Sequence, residues 1–425
     1  MIRMRRRWVR RRIQHVLYWL PLCACACADT QHGTRDIDSL PLLSATVESR
    51  IGSVDDPDHG FSRLGGVDVD RDGNVYALEM LDHQIRVYDR NGQLLRRIGR
   101  RGGGPGEFDS PPLFGVKGDT LWTIDGMANR LTLFDRAGSV IATGRTSGLR
   151  IPLPRGYGYV LPVALRPDGL FSGWFTRVTS SARDTATGVQ QGDSIPVPRV
   201  LFDTDGTVVD TIGMMPGPPP RMVPPPNYSA NRFERITVGS GSHLVPDPPT
   251  ELPMWLALDD GHIVVDVRYA TSQDAHTFAV TRINLAGDTV YHRTLGYRPE
   301  RFTPEQLDSA ASRGSRSMMP MGGPAPPVDD AVVNALRAAM EFPEFQLPIR
   351  YPWLADDESV WLRRVDEGDV ARWIVLEPDG RVRGELRLPP NARPLWYRGD
   401  EMWASVPDEM DVPWLVRYRI SSTGS

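Results

Sequence analysis

The segment from Asp68 to Glu79, "DVDRDGNVYALE", carries acidic side chains at the spacing of a calcium-binding loop. Asp68, Asp70 and Asp72 take odd-numbered positions, Gly73 takes the turn, and Glu79 takes the twelfth place, where a bidentate carboxylate closes an EF-hand cage. An EF-hand loop lies between two helices, whereas "FSRLGGV" and "LDHQIRVYD" on either side have the character of turns and strands. The sequence therefore favours a β-hairpin that turns at Gly73, with a calcium ion at Asp68, Asp70 and Asp72 as the alternative.

A second group of polar side chains lies near the ends of predicted strands. Carboxylate, imidazole and amide groups at the mouth of a channel can bind a metal ion or a polar ligand. Charged residues at such places are also common as solvated turn residues, so both interpretations stand. No zincin, serine-hydrolase or phosphate-loop motif occurs in the sequence, and no catalytic residue is assigned. The candidates for channel-mouth binding are Glu79, Asp82, His83, Asp125, Asn129 and Arg130.

A repeated four-part phrase organises the chain. Two Ile-Gly pairs, ending at Gly52 and Gly99, lie 47 residues apart, a period typical of propeller blades. Between them, the alternating segments "GVDVD", "NVYALE", "QIRVYD" and "QLLRRIG" are joined by breaks that include "RDG" and "RNG", which are hairpin-turn sequences. The same phrase recurs and gives six units, near 64–99, 113–144, 160–213, 253–296, 350–388 and 394–420.

These units predict an all-β fold, a six-bladed β-propeller of four-stranded antiparallel blades. The last unit has only three strands, and residues 45–52 resemble the fourth strands of other units. We therefore expect this N-terminal strand to complete the last blade and close the ring, because an open ring would leave an unpaired edge strand. Aromatic side chains at one position of the second strands are expected to pack between blades: Tyr76, Trp122, Trp361 and Trp403.

Two insertions interrupt the repeat. Residues 214–233 are rich in proline and predict an extended surface connection. Residues 301–348 predict a small helical insertion between blades 4 and 5. Its first helix has Thr303 as the N-cap, Pro304 at the first helical position and Gln306 completing a capping box. This insertion would either govern access to one face or cover apolar surface.

The first 24 residues predict an export signal. A head with seven arginines precedes the apolar run "IQHVLYWLPL", which is too short to span a bilayer as a helix. The stretch "LCAC" resembles a bacterial lipobox and implies lipidation of Cys25, with Cys27 as the alternative. A plain signal peptide, which would give a secreted protein, is a further alternative. The predicted boundaries are 1–24 for the signal, 25–44 for a linker, 45–420 for the propeller and 421–425 for a tail.

The charge and the cysteines limit the partners and the chemistry. The formal net charge is −4, and removal of seven arginines and no acidic residue with the signal takes it to −11, which argues against nucleic acid as a partner. All three cysteines, at positions 23, 25 and 27, lie in or beside the signal, so no disulfide is expected in the body. We expect a monomer without a cofactor, calcium being the alternative, that meets a membrane only through its lipid anchor.

The first two units resemble NHL-repeat proteins. The family phrase "V-Y-V-A-D-x-x-N-x-R-I" is similar to "VYALEMLDHQI" and "LWTIDGMANRL". In the second copy the matching residues, with one extra residue between the first two, are Asp125, Asn129 and Arg130. In the first copy their places are taken by Glu79, Asp82 and Gln84.

The resemblance extends over about 45–146, and the remaining units are similar only in architecture to bacterial six-bladed propeller lipoproteins of the NHL-like or TolB-like kind. It implies a protein of the cell envelope, facing the periplasm or the cell surface, that serves as a binding scaffold for a protein, peptide or glycan. Six-bladed propellers also include lactonases and lyases. They imply the alternative of a metal-dependent hydrolase or lyase that uses the central channel.

Overall fold

The computed structural model describes residues 34–56, 59–145, 157–166, 168–177, 197–215, 235–238, 241–244, 252–258, 260–316, 330–340, 342–365 and 370–423. The predicted export signal, Cys25, Cys27 and all but the first two residues of the proline-rich insertion lie outside the described residues. No helix in the described part is both long enough and apolar enough to cross a membrane.

The first described elements are short. They are β1 (Arg35–Asp36), a 3₁₀ turn (Ile37–Ser39) and β2 (Leu42–Ile51).

Two four-stranded antiparallel sheets follow. Sheet A consists of β3 (Leu64–Val69), β4 (Val75–Glu79), β5 (Gln84–Tyr88) and β6 (Leu94–Ile98). Sheet B consists of β7 (Leu113–Lys117), β8 (Thr120–Asp125), β9 (Arg130–Phe134) and β10 (Val140–Arg145).

The turn after β3 confirms the predicted hairpin. Gly73 has a φ of 83°, a conformation that glycine adopts without strain. The Asp70 carboxylate accepts hydrogen bonds from the backbone N–H groups of Asp72 and Asn74, both at 2.9 Å. An Asp-x-Asp-Gly sequence thus fixes the turn that the alternating strands require.

The next sheets follow the same order. Sheet C consists of β11 (Tyr157–Leu165), β12 (Phe171–Arg177), β13 (Val197–Phe202) and β14 (Val208–Met215). A separate hairpin joins β15 (Arg235–Val238) to β16 (Gly241–Leu244). Sheet D consists of β17 (Leu252–Leu258), β18 (Gly261–Val267), β19 (His276–Asn284) and β20 (Thr289–Tyr297), and β1 adds to β20 in parallel.

The helical insertion lies where the sequence predicts it, between the fourth and fifth units, and contains α1 (Pro304–Arg316) and α2 (Asp330–Ala339). The capping box is confirmed: the Thr303 N–H donates to Gln306 Oε1 at 3.1 Å, and the Gln306 N–H donates to Thr303 Oγ1 at 3.3 Å. The base of the insertion is closed by a hydrogen bond of 2.8 Å from the Gln346 N–H to the Glu300 carbonyl.

The last seven strands join β2 in one eight-stranded sheet, sheet E, in the order β21-β22-β23-β24-β2-β27-β26-β25. The strands are β21 (Ile349–Leu354), β22 (Val360–Arg364), β23 (Ala371–Leu376), β24 (Val382–Leu388), β25 (Arg393–Arg398), β26 (Glu401–Pro407) and β27 (Pro413–Ser422). We call β21–β24 the first half of sheet E, and β25–β27 with β2 the second half.

The pairing of the N-terminal strand with the last unit is confirmed, since β2 runs antiparallel to β27 with Ile51 opposite Leu415. The prediction of separate fifth and sixth sheets is wrong at the level of hydrogen bonding. Leu42 and Leu43 also pair in parallel with Glu385 and Leu386 of β24, and this short ladder joins the two halves.

Residues 34–43, predicted as part of a linker, form a structured N-terminal strap along β20 of sheet D and β24 of sheet E. Ile37 is buried, and the Arg364 guanidinium donates to the Ile37 carbonyl at 3.1 Å and to Asp38 Oδ1 at 2.6 Å. The predicted tail is also partly strand, because Ser421 and Ser422 belong to β27 and pair with β2. The strap is ordered by pairing with β20 and β24, and the end of the chain by pairing with β2.

Apolar layers pack five of the six pairs of neighbouring sheets or half-sheets in the described part of the chain. The layers join sheet A to sheet B, B to C, D to the first half of sheet E, the two halves of sheet E to each other, and the second half of sheet E back to sheet A. Sheets C and D are linked by a hydrogen bond of 2.7 Å from Arg199 to the Gly261 carbonyl. The protein is therefore all-β in class, with small antiparallel sheets in a propeller arrangement.

The predicted aromatic packing is confirmed. The four side chains occupy equivalent places on second strands, and all are at most 9% exposed: Tyr76, Trp122, Trp361 and Trp403. Trp122 meets Phe171 of sheet C edge to face, with 5.9 Å between ring centroids. Large rings at this position fill the space between neighbouring sheets.

Closure through β2 gives the first testable prediction. Ile51 is 2% exposed and packs with Leu415 and sheet A, so Ile51→Ala should lower the free energy of unfolding by about 2–5 kcal/mol. Val47 on the same strand is 42% exposed, so Val47→Ala should cost less than about 1 kcal/mol. Denaturant unfolding measures both, and equal effects would contradict a closing role for this end of β2.

Candidate functional site

The antiparallel pairing defines two opposite faces. In sheet A, Leu64 at the start of β3 lies opposite Glu79 at the end of β4. We call the side where each second strand ends, and where the connections between sheets run, the linker face, and we call the opposite side the turn face. Among the described residues, sheets A and B contribute to the linker face through 53–56, 59–63, 80–83, 99–112 and 126–129. They contribute to the turn face through 70–74, 89–93, 117–119 and 135–139.

Glu79 ends β4 on the linker face and is fully buried. Its carboxylate accepts hydrogen bonds from the backbone N–H groups of Ser62 at 2.8 Å, Arg63 at 3.1 Å and Leu81 at 3.2 Å. Ser62 and Arg63 belong to the connection that enters sheet A, and Leu81 belongs to the turn after β4. The carboxylate therefore holds these two irregular segments together.

Asp125 has the equivalent position at the end of β8. It accepts hydrogen bonds from the Asp109 N–H at 2.6 Å, the Ser110 hydroxyl at 2.7 Å, and the N–H groups of Met127 and Ala128 at 3.1 Å. Burial raises the pKa of Asp125, but the hydrogen bonds from Ala128, Ser110 and Asp109 outweigh it and hold the pKa below its usual value. Asp125 is thus an ionised structural acceptor for the connection between sheets A and B.

Asp82 and His83 also contact the connections. Asp82 pairs with Arg86 at 3.0 Å, and Arg86 donates to the Gly60 carbonyl. His83 has a φ of 52° and a buried ring whose Nδ1–H donates to the Phe108 carbonyl at 3.0 Å. Both side chains lie on the linker face and link the turn after β4 to neighbouring backbone.

The residues of sheet B that match the NHL-like phrase behave in the same way. Asn129 is exposed and has a φ of 49°, so it takes the left-handed turn position that His83 takes in sheet A. Arg130 donates to the Gly103 carbonyl at 2.8 Å and to the Glu107 carbonyl. The phrase thus places polar side chains against the connections between sheets, and contact of these side chains with a ligand stays a prediction.

The acidic residues of the apparent calcium loop do not converge. Glu79 lies opposite Leu64, four residues along β3 from Asp68, which corresponds to about 13 Å. Asp70 and Asp72 both contact Arg136 of sheet B on the turn face. Within the described residues, no group of three or more His, Cys, Asp or Glu side chains could hold one metal ion.

Asp68 lies on the innermost strand of sheet A and bridges to sheet B. Its carboxylate accepts hydrogen bonds from the Val116 N–H at 2.6 Å and from its own neighbour Val69 at 2.7 Å. Burial raises the pKa of Asp68 to about 6, the charge of Asp356 adds to the rise, and the two hydrogen bonds oppose it. Asp68 is therefore a carboxylate that is held in place but costly to ionise.

Large exposed apolar side chains reveal a surface that the sequence reasoning missed. The described residues place several on the outermost strands, others on the linker face and none on the turn face. Those on the outermost strands are Leu42, Val47, Leu95, Val140, Ile141, Val209, Met214 and Val290. Those on the linker face are Val54, Leu81, Leu113, Met127, Tyr351, Val370 and Met410.

Three of these side chains lie in turns that are held by the same kind of hydrogen bond. Leu81, Met127 and Met410 are 57%, 71% and 67% exposed, and each follows an acidic residue by two positions. The backbone N–H of each donates to that acidic side chain, at 3.2 Å, 3.1 Å and 2.9 Å respectively. An acidic residue at the end of a second strand, followed two residues later by Leu or Met, is the sequence signal that could have found this surface.

The turn face differs in chemistry, because its charges pair between neighbouring sheets. Arg71 of sheet A pairs with Asp119 of sheet B at 2.8 Å. Arg282 of sheet D pairs with Asp260 at 3.0 Å and with Glu358 of sheet E at 2.8 Å. The turn face is thus polar and holds the sheets in register, whereas the linker face presents apolar side chains to solvent.

No family model matches the chain, and no curated protein matches it. Several solved structures are similar to it. A member of the DUF4221 family from Bacteroides vulgatus is 10% identical, with 90% of this chain and 99% of that chain covered and a TM-score of 0.42. Aldose sugar dehydrogenase from Streptomyces coelicolor is 13% identical, with 89% of this chain and 98% of that chain covered and a TM-score of 0.39. Virginiamycin B lyase from Staphylococcus aureus is 12% identical, with 88% of this chain and 99% of that chain covered and a TM-score of 0.37.

The structural role of Asp125 can be tested by Asp125→Asn. An amide places an N–H₂ group against N–H donors, so the variant should lose about 2–4 kcal/mol of stability at neutral pH. The loss should shrink as the pH falls below 4, because protonation of the wild-type carboxylate removes the same hydrogen bonds. Denaturant unfolding at neutral and acidic pH measures this.

The control for this test is Asp119→Asn, which removes an exposed ion pair and should cost less than about 1 kcal/mol. Wild-type stability in Asp125→Asn would show that the carboxylate is free for other chemistry.

Asp68→Asn tests whether ionisation of the Asp68 carboxyl between sheets A and B is unfavourable. The folded-state pKa of about 6 lies above the ordinary value of 3.8, so wild-type stability from this group is full below pH 4 and is lost as the pH rises through 6. The stability of the wild type relative to Asp68→Asn should therefore fall by about 3 kcal/mol between pH 3 and pH 8. A difference that stays constant across this pH range would show that Asp68 ionises freely.

Proposed function

We propose that this protein is an exported six-bladed β-propeller, anchored in the cell envelope by a lipid on Cys25, that binds a polypeptide on its linker face. Sheets A to D would supply four blades, and the two halves of sheet E the fifth and sixth. The export signal and lipobox-like sequence support the location, with Cys27 as the alternative site of lipidation. The phrase around Asp125 and Arg130 supports kinship with NHL-like or TolB-like propellers.

The observation that carries this proposal is the one-sided distribution of exposed apolar side chains away from the strand edges. Exposed apolar side chains that gather on one face, rimmed by polar residues, are typical of an interaction site. Leu81, Met127 and Met410 project from turns whose backbone is fixed by carboxylates. Because the turns are already ordered, a ligand would meet a surface that loses little conformational entropy on binding.

The composition of this surface favours a polypeptide over a glycan. Glycans bind by stacking sugar rings on flat aromatic side chains, and Tyr351 is the one aromatic residue among the seven exposed apolar residues of the linker face in the described part of the chain. The other six are aliphatic, and two of them are methionines. Methionine is flexible and polarizable, which suits contact with apolar side chains of varied shape.

The same geometry gives less support to a metal-dependent hydrolase or lyase. Such an enzyme needs carboxylates with free oxygen atoms at the channel mouth. Glu79 and Asp125 instead accept several backbone hydrogen bonds each, from segments on both sides. Their geometry supports positioning of the linker face, so a binding protein is the better-supported function.

An array of random twelve-residue peptides, probed with the fluorescent full-length protein in detergent, tests the proposal. The wild type should select peptides rich in apolar residues. The double variant Leu81→Glu and Met127→Glu places charges in the proposed contact surface and should lower the array signal by about ten-fold or more. Both side chains are exposed, so the fold should tolerate the change, and a thermal melt checks this.

The matched control is Leu95→Glu, which charges a leucine that is 45% exposed on outer strand β6. It should leave the peptide selection unchanged. An unchanged selection in the double variant, or an equal loss in Leu95→Glu, would exclude the linker face as the binding surface.

A further inference from the structure

Three arginines stand where innermost strands begin on the linker face. Arg63 immediately precedes β3, Arg350 is the second residue of β21, and Arg393 is the first residue of β25. Apolar layers pack the two halves of sheet E on each other and the second half on sheet A, so these three strands are consecutive around the propeller arrangement. We infer that the three arginines form a site for the carboxylates of an acidic polypeptide, an inference that rests on the proposed function and names its ligand.

Hydrogen bonds fix the positions of the Arg393 side chain and of the Arg63 backbone. The Arg393 guanidinium donates to the Leu64 carbonyl at 3.0 Å and to the Gly65 carbonyl at 3.3 Å, so it lies over the start of β3 beside Arg63. The backbone of Arg63 is held by Glu79 at 3.1 Å. The Arg393 guanidinium therefore lies next to the backbone position from which the Arg63 side chain extends.

Arg350 reaches the same face through a β-bulge. The pairing of β21 with β22 shifts between Ile349 and Tyr351, and Arg350 is the extra residue. Ile349 is fully buried in the layer shared with sheet D, whereas Arg350 is exposed. A bulge re-aims the inserted side chain, and here it presents a positive charge at the start of an innermost strand.

The charges of these arginines are not neutralised within the described residues. No described carboxylate lies within ion-pair distance of Arg63, Arg350 or Arg393, and the segments 60–65, 347–352 and 389–395 contain no acidic residue. The opposite ends of the same strands are acidic, with Asp68 in β3, Asp356 after β21 and Asp400 after β25. The linker ends of these three strands therefore carry arginines without an ion-paired acid among the described residues, and such arginines can attract an anion.

The neighbouring side chains favour a polypeptide over a small inorganic anion. Tyr351, next to Arg350, is 42% exposed, and Leu113, at the start of the innermost strand of sheet B, is 56% exposed. An inorganic oxyanion would make no favourable contact with these apolar groups. A peptide with alternating acidic and apolar side chains would place carboxylates on the guanidinium groups, which bind carboxylates in bidentate geometry, and apolar groups on Tyr351 and Leu113.

Fluorescence anisotropy with the full-length protein in detergent tests the inference, using eight-residue peptides of alternating Glu and Leu, Gln and Leu, or Lys and Leu. The Glu peptide should bind about ten-fold or more tightly than the Gln peptide, and this preference should weaken between about 50 and 300 mM salt. The double variant Arg63→Gln and Arg350→Gln should lose the preference and keep the affinity for the Gln peptide. Arg393 is left in place because it contacts the backbone of sheet A.

The matched control is Arg90→Gln, which removes an exposed arginine of the turn face and should leave the preference unchanged. A Glu preference that survives in Arg63→Gln with Arg350→Gln would overturn the inference. Displacement of the Glu peptide by inorganic phosphate at the same ionic strength would also overturn it and identify a small-oxyanion site. The proposed binding face is tested separately, by loss of Gln-peptide binding in Leu81→Glu with Met127→Glu, so the two failures can be told apart.

Discussion

The structure depends on the burial of the apolar faces of small sheets by the neighbouring sheets. A single sheet of four short strands has two apolar faces and too little core to be stable alone. The apolar layers shared by consecutive sheets supply the missing burial, and the layer between β27 and sheet A extends it from the last strands to the first. This is why the N-terminal strand matters: through β2, the two ends of the chain lie in one sheet.

A second constraint follows from the first, because sheets that pack face to face must be joined by irregular backbone at their ends. The N–H groups of such connections become buried and need acceptors. Glu79 and Asp125 supply these acceptors at equivalent positions, and the same carboxylates accept from the turns that carry Leu81 and Met127. A requirement of the fold therefore also fixes the orientation of exposed apolar side chains on the linker face.

The sequence predicts features whose cause is local. Hairpin turns at Gly73, the capping box at Thr303 and the alternating strands all depend on residues a few positions apart, and the structure confirms them. The pairing of β2 with the last unit was also predictable, because a missing fourth strand leaves a visible gap in the repeat. The N-terminal strap was not, since Ile37 and Asp38 are held by Arg364, more than 300 residues away. A local sequence pattern cannot predict a contact between residues so far apart in the chain.

The candidate site also depends on contacts between distant residues, which local sequence patterns do not predict. Sequence spacing singled out Glu79 and Asp125 as candidates for ligand binding, but the residue type cannot reveal whether a carboxylate accepts hydrogen bonds from a ligand or from the protein's own backbone. Glu79 receives N–H groups from residues 16 and 17 positions earlier, which only the packed sheets bring within reach. The exposed side chains were missed for the opposite reason, because a lone Leu or Met in a turn looks unremarkable until its neighbours are known.

The turn face and the linker face differ in how their charged side chains are paired. On the turn face, arginines and acids of adjacent sheets pair and hold the sheets in register, so few charges there remain for a partner. On the linker face, Glu79 and Asp125 accept backbone N–H groups, Arg63 and Arg350 have no ion-paired acid among the described residues, and Leu81, Met127 and Met410 are exposed on fixed turns. Internal use of Glu79 and Asp125 therefore orders a face that carries both arginines and exposed apolar side chains. A surface with that combination, already ordered by the fold, is suited to recognising an acidic polypeptide with apolar side chains.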